Sequence, residues 1–314
     1  MITNQILGLI FKRRRLLDDE VVLEEISSIE DLPSAETQTH LTKIKKMIDA
    51  GDPISMILPA FPGKSPNRNK TLSRLPDLAE THSIDSLHSL CRDIKEVYKP
   101  GAKIIICSDG YVFSDLVRIP DEDVELYSLA LIDYYHESYP DAFEFYDLKD
   151  TFPQLDSMDA MREELMIRYG ESLIGLKERA KGHKEVKTMY TGITRFLHED
   201  FIGLDEFRNI SRAQIQKMAK SVSYRVIQRS NAWGKLLQEV YPDSLRLSIH
   251  PQYRVSNKIG IHMISTDDCW RTPWHSVAVK KNGMIYLEKR SNINENRSRL
   301  FFENGRPHYY QEEA

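Results

Sequence analysis

The chain has 314 residues, 41% of them hydrophobic and 29% charged, the balance of a folded protein with a substantial core. Its 43 lysines and arginines against 47 aspartates and glutamates leave a net charge of -4, which gives no support to nucleic-acid binding, a role marked by a basic excess. No apolar run approaches the roughly 20 residues needed to span a bilayer, so no membrane role is expected.

The first segment, MITNQILGLIFKRRRLLDDE, places Lys12, Arg13, Arg14 and Arg15 after its apolar stretch. A secretory signal has the opposite order, so the segment reads as an amphipathic surface helix with a basic end, within an N-terminal helical region over 1–50. ISMILPA (54–60) is a short apolar strand. SIDSLHSLCRDIKEVY carries Ile84, Leu87, Leu90, Ile94 and Val97 at helical spacing, with Ser83 as the expected N-cap. KIIICSD (103–109) is a second strand, PDEDVELYSLALIDYYHESY a helix and AFEFYDL a third strand. A helical segment follows over 156–241. SLRLSIH returns to strand, and SVAVKKNGMIYLEKR reads as a hairpin across Lys281-Asn282-Gly283. Repeats, low-complexity tracts and linkers are not evident. The expected fold is α/β: one domain over 1–314, with a largely parallel Rossmann-like sheet flanked by helices, a helical insertion and a C-terminal hairpin. The three cysteines, Cys91, Cys107 and Cys269, are scattered and odd in number, so no disulfide framework is expected and a reducing cytoplasm fits.

Ligands of open parallel sheets bind beyond the carboxyl ends of the strands. Four strands here run into chemically capable residues at that end. The first leads into Phe61-Pro62-Gly63-Lys64-Ser65-Pro66-Asn67-Arg68-Asn69-Lys70, a loop with two stiffening prolines and several cations. The second runs into Ser108-Asp109-Gly110, the third into Asp147 and the fourth into His250. Any one of these has a plain explanation, because strand ends are turns and turns are polar; their joint occurrence points to a site.

Familiar cofactor motifs are absent. The Gly63-Lys64-Ser65 triplet lacks the glycine a phosphate-binding P-loop needs five residues earlier, where Leu58 stands. No G-x-G-x-x-G follows a strand, no G-x-S-x-G elbow occurs, and the ten histidines show no zinc spacing.

Two further groupings stand out. On the helical stripe Ile215, Met218, Val222, Val226, Trp233, Leu237 and Val240, one turn is taken by Arg229 and Ser230. An inward arginine is either a structural ion pair or a fork for a carboxylate or phosphate. In RLSIHPQ the strand period of two puts Arg246, Ser248 and His250 on one side and Leu245, Leu247 and Ile249 on the other. TPWHS then presents Trp274 and His275 just before the hairpin.

Together, LPAFPGKSPNRNKTLSRLPDLAE, SDGYVFSDLV, RSNAWGKLL, RLSIHPQ and TPWHSV resemble the pyoverdine/dityrosine biosynthesis family of isocyanide (isonitrile) synthases. The motifs extend from about Ile54 to Val277; Ser73 and Ala79 stand where glycine is expected in that family. The resemblance implies an enzyme that turns the α-amino group of tyrosine or tryptophan into an isonitrile, with ribulose 5-phosphate as carbon donor and without metal or organic cofactor. It also implies an iron/2-oxoglutarate-dependent oxygenase as pathway partner, and a fungal branch linked to N-formyl tyrosine. Set against the residues, Lys64, Arg68 and Lys70, with Ser65 and Asn67 in the same loop, are candidates for the phosphate or ketone, including a Schiff base on a lysine. Arg229 or Arg246 suits the amino-acid carboxylate, and Phe61 and Trp274 suit its ring. Asp109, His250 and His275 are the candidates for proton transfer. Another phosphosugar- or amine-condensing enzyme, or a silent binding protein, stays open from the residues alone.

Overall fold

The computed structural model describes residues 1–17, 29–266, 271–294 and 296–312, with the backbone alone for Glu185. Cys269 lies outside the described residues. Helix α1 (Ile2–Phe11) and α2 (Ser34–Ala50) precede β1 (Ile54–Leu58), α3 (Leu78–Val97) and β2 (Ala102–Cys107). Then come α4 (Gly110–Val117), α5 (Asp121–Ser138), β3 (Phe143–Tyr146) and the single turn α6 (Leu148–Thr151). Four helices fill the next stretch: α7 (Met158–Tyr169), α8 (Leu173–Gly182), α9 (Lys184–Ile202) and α10 (Arg212–Val240). The chain continues through β4 (Leu245–Ser248), β5 (Lys258–Gly260), β6 (Val277–Lys281), β7 (Met284–Glu288), β8 (Ser298–Glu303) and β9 (Arg306–Glu312).

The first five strands form one sheet in the order β3-β2-β1-β4-β5, with every pairing parallel. Such strands are covered on both faces, which is why they read as near-continuous apolar runs. Met56, Leu58, Ile104, Ile106, Leu245, Leu247 and Ile259 face one layer, with Ile6, Ile10, Ile44, Leu87, Leu90 and Tyr127. Ile57, Ile105 and Cys107 face the other, against Val112, Leu165, Leu197, Ile215, Trp233 and Leu237. The chain builds outward from β1 to β3 and then returns to the far side of β1, so the direction of winding reverses between β1 and β4. A crevice opens at such a reversal, beyond the carboxyl ends of the strands.

A second sheet, in the order β7-β6-β9-β8, follows. The expected hairpin is its β6–β7 pair: Lys281 faces Met284 across Asn282 and Gly283, whose φ values of 50° and 79° suit a tight primed turn. A second hairpin, β8–β9, was not anticipated, although Asn304 and Gly305 (φ 50° and 74°) carry the same turn signal.

Two local expectations need correction. Helix α1 is no surface helix: Ile6, Leu7, Ile10 and Phe11 are buried in the first core layer. Its basic end works as a set of anchors. Arg13 reaches Ser89 Oγ at 2.7 Å, and Arg15 donates to the Ile249 carbonyl at 2.8 Å. Helix α3 begins before Ser83, with Asp77 as N-cap and Glu80 closing a capping box. Ser83 instead bonds back to the Ala79 carbonyl at 2.7 Å.

Candidate active site

Beyond β1 the backbone takes an unusual path. Phe61 is fully buried with φ 58°, the left-handed region, which is a true outlier for a bulky residue and costs about 1–3 kcal/mol. Its surroundings enforce it. Ser108 Oγ donates to the Phe61 carbonyl at 3.1 Å, and Ser65 N–H donates to the Trp274 carbonyl at 2.9 Å. Gly110 lies so close that a Cβ there would sit 2.3 Å from the Pro62 oxygen. Phe61 and Trp274 meet edge to face, ring centroids 5.4 Å apart, and form an apolar wall.

The cations of this loop do not converge. Lys64 Nζ is buried and lies 2.8 Å from Asp77 Oδ2, 2.8 Å from Glu80 Oε2 and 3.2 Å from the Pro273 carbonyl. All three ammonium protons therefore have acceptors. Burial alone would lower the Lys64 pKa, but Asp77 and Glu80 outweigh it and hold it above lysine's ordinary range. Burial lifts Glu80 above the carboxylate range, more than Lys64 lowers it. Tyr127 donates to the other Glu80 oxygen at 3.2 Å. Lys70 pairs with Asp200 at 2.6 Å and lies 5.1 Å from the Phe196 ring centroid. Arg68 is exposed. Asn67 braces the loop through the Glu199 carbonyl (2.9 Å) and the Asn69 amide (2.9 Å), while Ser65 Oγ accepts from the Asn67 amide at 3.2 Å. A buried loop must neutralise the charges it carries, and here each buried lysine takes carboxylates from α3 or α9.

The unneutralised chemistry lies at the ends of β2 and β4. Arg246 faces Ile57 in the ladder, on the same side as Cys107. Its Nη1 is buried without a hydrogen-bond partner, and so is Asp109 Oδ1. Burial raises the Asp109 carboxyl to about 7; its own backbone amide and then Arg246 pull it back only in part. Ser248 is a turn brace: its hydroxyl donates to the His250 carbonyl at 3.1 Å and accepts from the His250 amide at 3.2 Å.

Both histidines are held neutral. Burial, then Arg15 and Lys258, lowers His250 to about 4. Burial, then Lys70, Lys64 and His250, takes His275 well below its ordinary value, so His275 stands within electrostatic reach of all three. Its Nδ1 lies 3.0 Å from Thr272 Oγ1, and Phe196 packs edge-on with its centroid 4.4 Å away.

Arg229 is placed apart from this group. It donates to Asp115 and, at 3.1 Å, to the Val112 carbonyl, both on α4. Asp77, Glu80, Tyr127, Phe196, Asp200 and Thr272 were missed from sequence. Only Asp77 and Glu80 carried a signal, the D-x-x-E of a capping box in PDLAE. An open hollow of about 480 Å³ lies by α4, lined by Ser114, Asp115, Arg118 and Glu206 among others, and by none of the residues expected from sequence to form the site. Among the described residues, no cluster of three or more His, Cys, Asp or Glu is placed to hold a metal ion, and no helix is long and apolar enough to cross a membrane.

A doubly wound parallel sheet flanked by helices, with an acid, a guanidinium and neutral imidazoles near its winding reversal, defines an α/β protein of the class whose ligands bind at the sheet's carboxyl edge. Residues 44–301 match the family described as pyoverdine/dityrosine biosynthesis protein, and the chain belongs to that family. It is 43% identical over 311 residues to the L-tryptophan isonitrile synthase AmbI2 of Fischerella ambigua, covering 99% of this chain and 92% of that one. It is also 43% identical over 277 residues to an L-tyrosine isonitrile synthase of Pseudomonas aeruginosa, covering 87% of this chain and 84% of that one. The crystal structure of the PvcA protein from Pseudomonas aeruginosa superposes with a TM-score of 0.89 at 40% identity, over 99% of both chains.

Proposed function

We propose that this chain is an isocyanide synthase that converts the α-amino group of L-tyrosine or L-tryptophan into an isonitrile, with ribulose 5-phosphate as the carbon donor. The observation that carries the reading is the pair of buried, unpartnered atoms Asp109 Oδ1 and Arg246 Nη1 near the β1–β4 reversal. A buried polar atom without a partner is costly, and a ligand that supplies the missing partner relieves that cost. The activities of relatives at 43% identity, L-tryptophan and L-tyrosine isonitrile synthases, support an aromatic amino acid as that ligand.

The amino group must lose its proton before it can attack the ketone, and further protons leave the nitrogen as the isonitrile forms. Asp109, with its carboxyl raised to about 7, is able both to accept and to return a proton near neutrality. His250 and His275, both neutral, are proton acceptors in the same crevice. Arg246 supplies a cation for a substrate anion, and the Phe61–Trp274 wall bounds the space for the aromatic ring. Lys64 acts through the loop: with its three donors taken up by Asp77, Glu80 and Pro273, it fixes the path of residues 61–65. A Schiff base on Lys64 would require the ammonium, held charged by those carboxylates, to lose a proton first. A reducing cytoplasm suits the buried free thiols Cys91 and Cys107. The released isonitrile is the material on which the expected iron/2-oxoglutarate-dependent oxygenase would act.

The test is incubation with L-tyrosine or L-tryptophan and carbon-13-labelled ribulose 5-phosphate, followed by mass spectrometry. One labelled carbon in an isonitrile product is the expected result. An N-formyl amino acid would assign the chain to the formylating branch, and binding without turnover would make it a binding protein.

A further inference from the structure

The basic residues around the crevice fall into two groups. Those of the loop after β1 are neutralised or turned outward: Lys64 by Asp77 and Glu80, Lys70 by Asp200, and Arg68 into solvent. Arg246 and Lys258 form the second group. They are ladder partners on β4 and β5, so their side chains leave the same face of the sheet from strands about 4.8 Å apart. Leu247 and Ile259, the next partners along, turn to the apolar layer on the opposite face. Among the described residues neither cation has a carboxylate within ion-pair distance, and Arg246 Nη1 is buried with no acceptor.

A lysine on an outer strand commonly serves to keep other strands from adding to the edge. That explanation fails here, because the outer edge of β5 is already covered. Arg15 N–H donates to the Gly260 carbonyl at 2.8 Å, His262 N–H donates to the Arg13 carbonyl at 2.7 Å, and Arg14 bridges Ile261. Like charges opposite one another on neighbouring strands repel. The arrangement is therefore unfavourable by itself and becomes favourable once an anion lies between the two. Lys258 opens β5 directly beside β4, the strand that leads to His250.

We infer that Arg246 and Lys258 together seat the phosphate of the carbon-donor substrate, with Lys258 as a phosphate-binding residue; this rests on the reading of the chain as a phosphosugar-using synthase. Two adjacent positive charges match a dianion, whereas a single carboxylate leaves one of them uncompensated. A planar fork beside a compact ammonium is also the combination of donors that phosphate oxygens accept. The loop after β1, where the sequence places most of its cations, then serves to shape the site.

The test is calorimetric titration of ribulose 5-phosphate, without amino acid, into the wild type, Lys258→Met and Lys258→Arg. Lys258 is exposed, so both variants should fold, as circular dichroism would verify. Lys258→Met should bind the phosphosugar about 10- to 100-fold more weakly, as expected for a lost bond between charged groups, and Lys258→Arg should stay within a few-fold of the wild type. Unphosphorylated ribulose should bind weakly and equally to all three, and affinity for tyrosine or tryptophan should be unchanged. Wild-type affinity in Lys258→Met, a defect confined to the amino acid, a loss seen in Arg68→Met instead, or no binding by the wild type would each overturn the assignment. Failure of the broader reading has a different signature: ribulose 5-phosphate binds with this dependence on Lys258, yet no isonitrile forms.

Discussion

Asp109→Asn separates the electrostatic state of the crevice from its shape. Burial lifts the Asp109 carboxyl from 3.8 to about 7, so the native protein keeps a proton that the unfolded chain gives up. The native state thus binds more protons than the unfolded state between about pH 4 and pH 7. The associated stability is fully present below about pH 4 and is lost as pH rises through about 7. A shift of about three units corresponds to about 4 kcal/mol at most, and the partial exposure of the residue reduces this to about 2 kcal/mol. Asparagine has the same shape and no charge. Asp109→Asn should match the wild type near pH 4 and be more stable by about 2 kcal/mol near pH 8. For a chain of this length that is about 3 °C in Tm, at roughly 2 cal/mol/K of unfolding entropy per residue. Scanning calorimetry across that pH range gives the comparison, and turnover near pH 8 should fall by about 10²-fold or more. A Tm difference that does not change with pH would refute the claim that burial holds this proton. Turnover within tenfold of the wild type would remove Asp109 from the chemistry.

Lys64→Met should cost about 3–5 kcal/mol in urea denaturation, because Asp77 and Glu80 lose their buried counter-charge. Adding Glu80→Gln should restore part of that, and an unchanged midpoint in the single variant would show that the cluster carries no such charge. Arg229→Met breaks a pair whose partners are both partly exposed, so it should cost about 1 kcal/mol or less and leave the amino-acid KM within twofold. A selective tenfold rise in that KM would instead place Arg229 on the carboxylate. His250→Gln and His275→Gln should each lower kcat by about 10²-fold, with the double variant little worse than the poorer single one. With both imidazoles held neutral, any limb of the kcat profile near pH 7 should belong to Asp109 and survive both histidine substitutions, and a limb that either substitution abolishes would refute that picture.

The core strands were legible because they rest on local rules. Strands buried on both faces are continuous apolar runs, and the alternation in RLSIHPQ fixed which side of β4 is polar. Strand β5 was not legible, since three residues cannot display a period. Helix α1 was misjudged because a short apolar segment with a basic end looks the same whether its bases face solvent or tie down α3 and the chain after β4. The cations of the loop after β1 form a cluster in sequence and not in space. Their carboxylates come from α3 and α9, 13 to more than 100 residues away, and nothing in the loop announces them. The same separation hid the pairing of Arg246 with Lys258, which exists only through the strand ladder.

The strained turn at Phe61 also bears on the order in which the molecule can be assembled. The contacts that hold the loop come from late in the chain: Lys64 reaches the Pro273 carbonyl across 209 residues, and Ser65 N–H is received by Trp274. During synthesis the strands β1 to β3 can pair while the ribosome is still adding the helices that follow, because their contacts are comparatively local. The loop has no reason to hold a left-handed phenylalanine until Thr272 to His275 have emerged and docked against it. A nascent chain would therefore own most of its sheet long before it owned a site, and competence would come as one of the last events of folding.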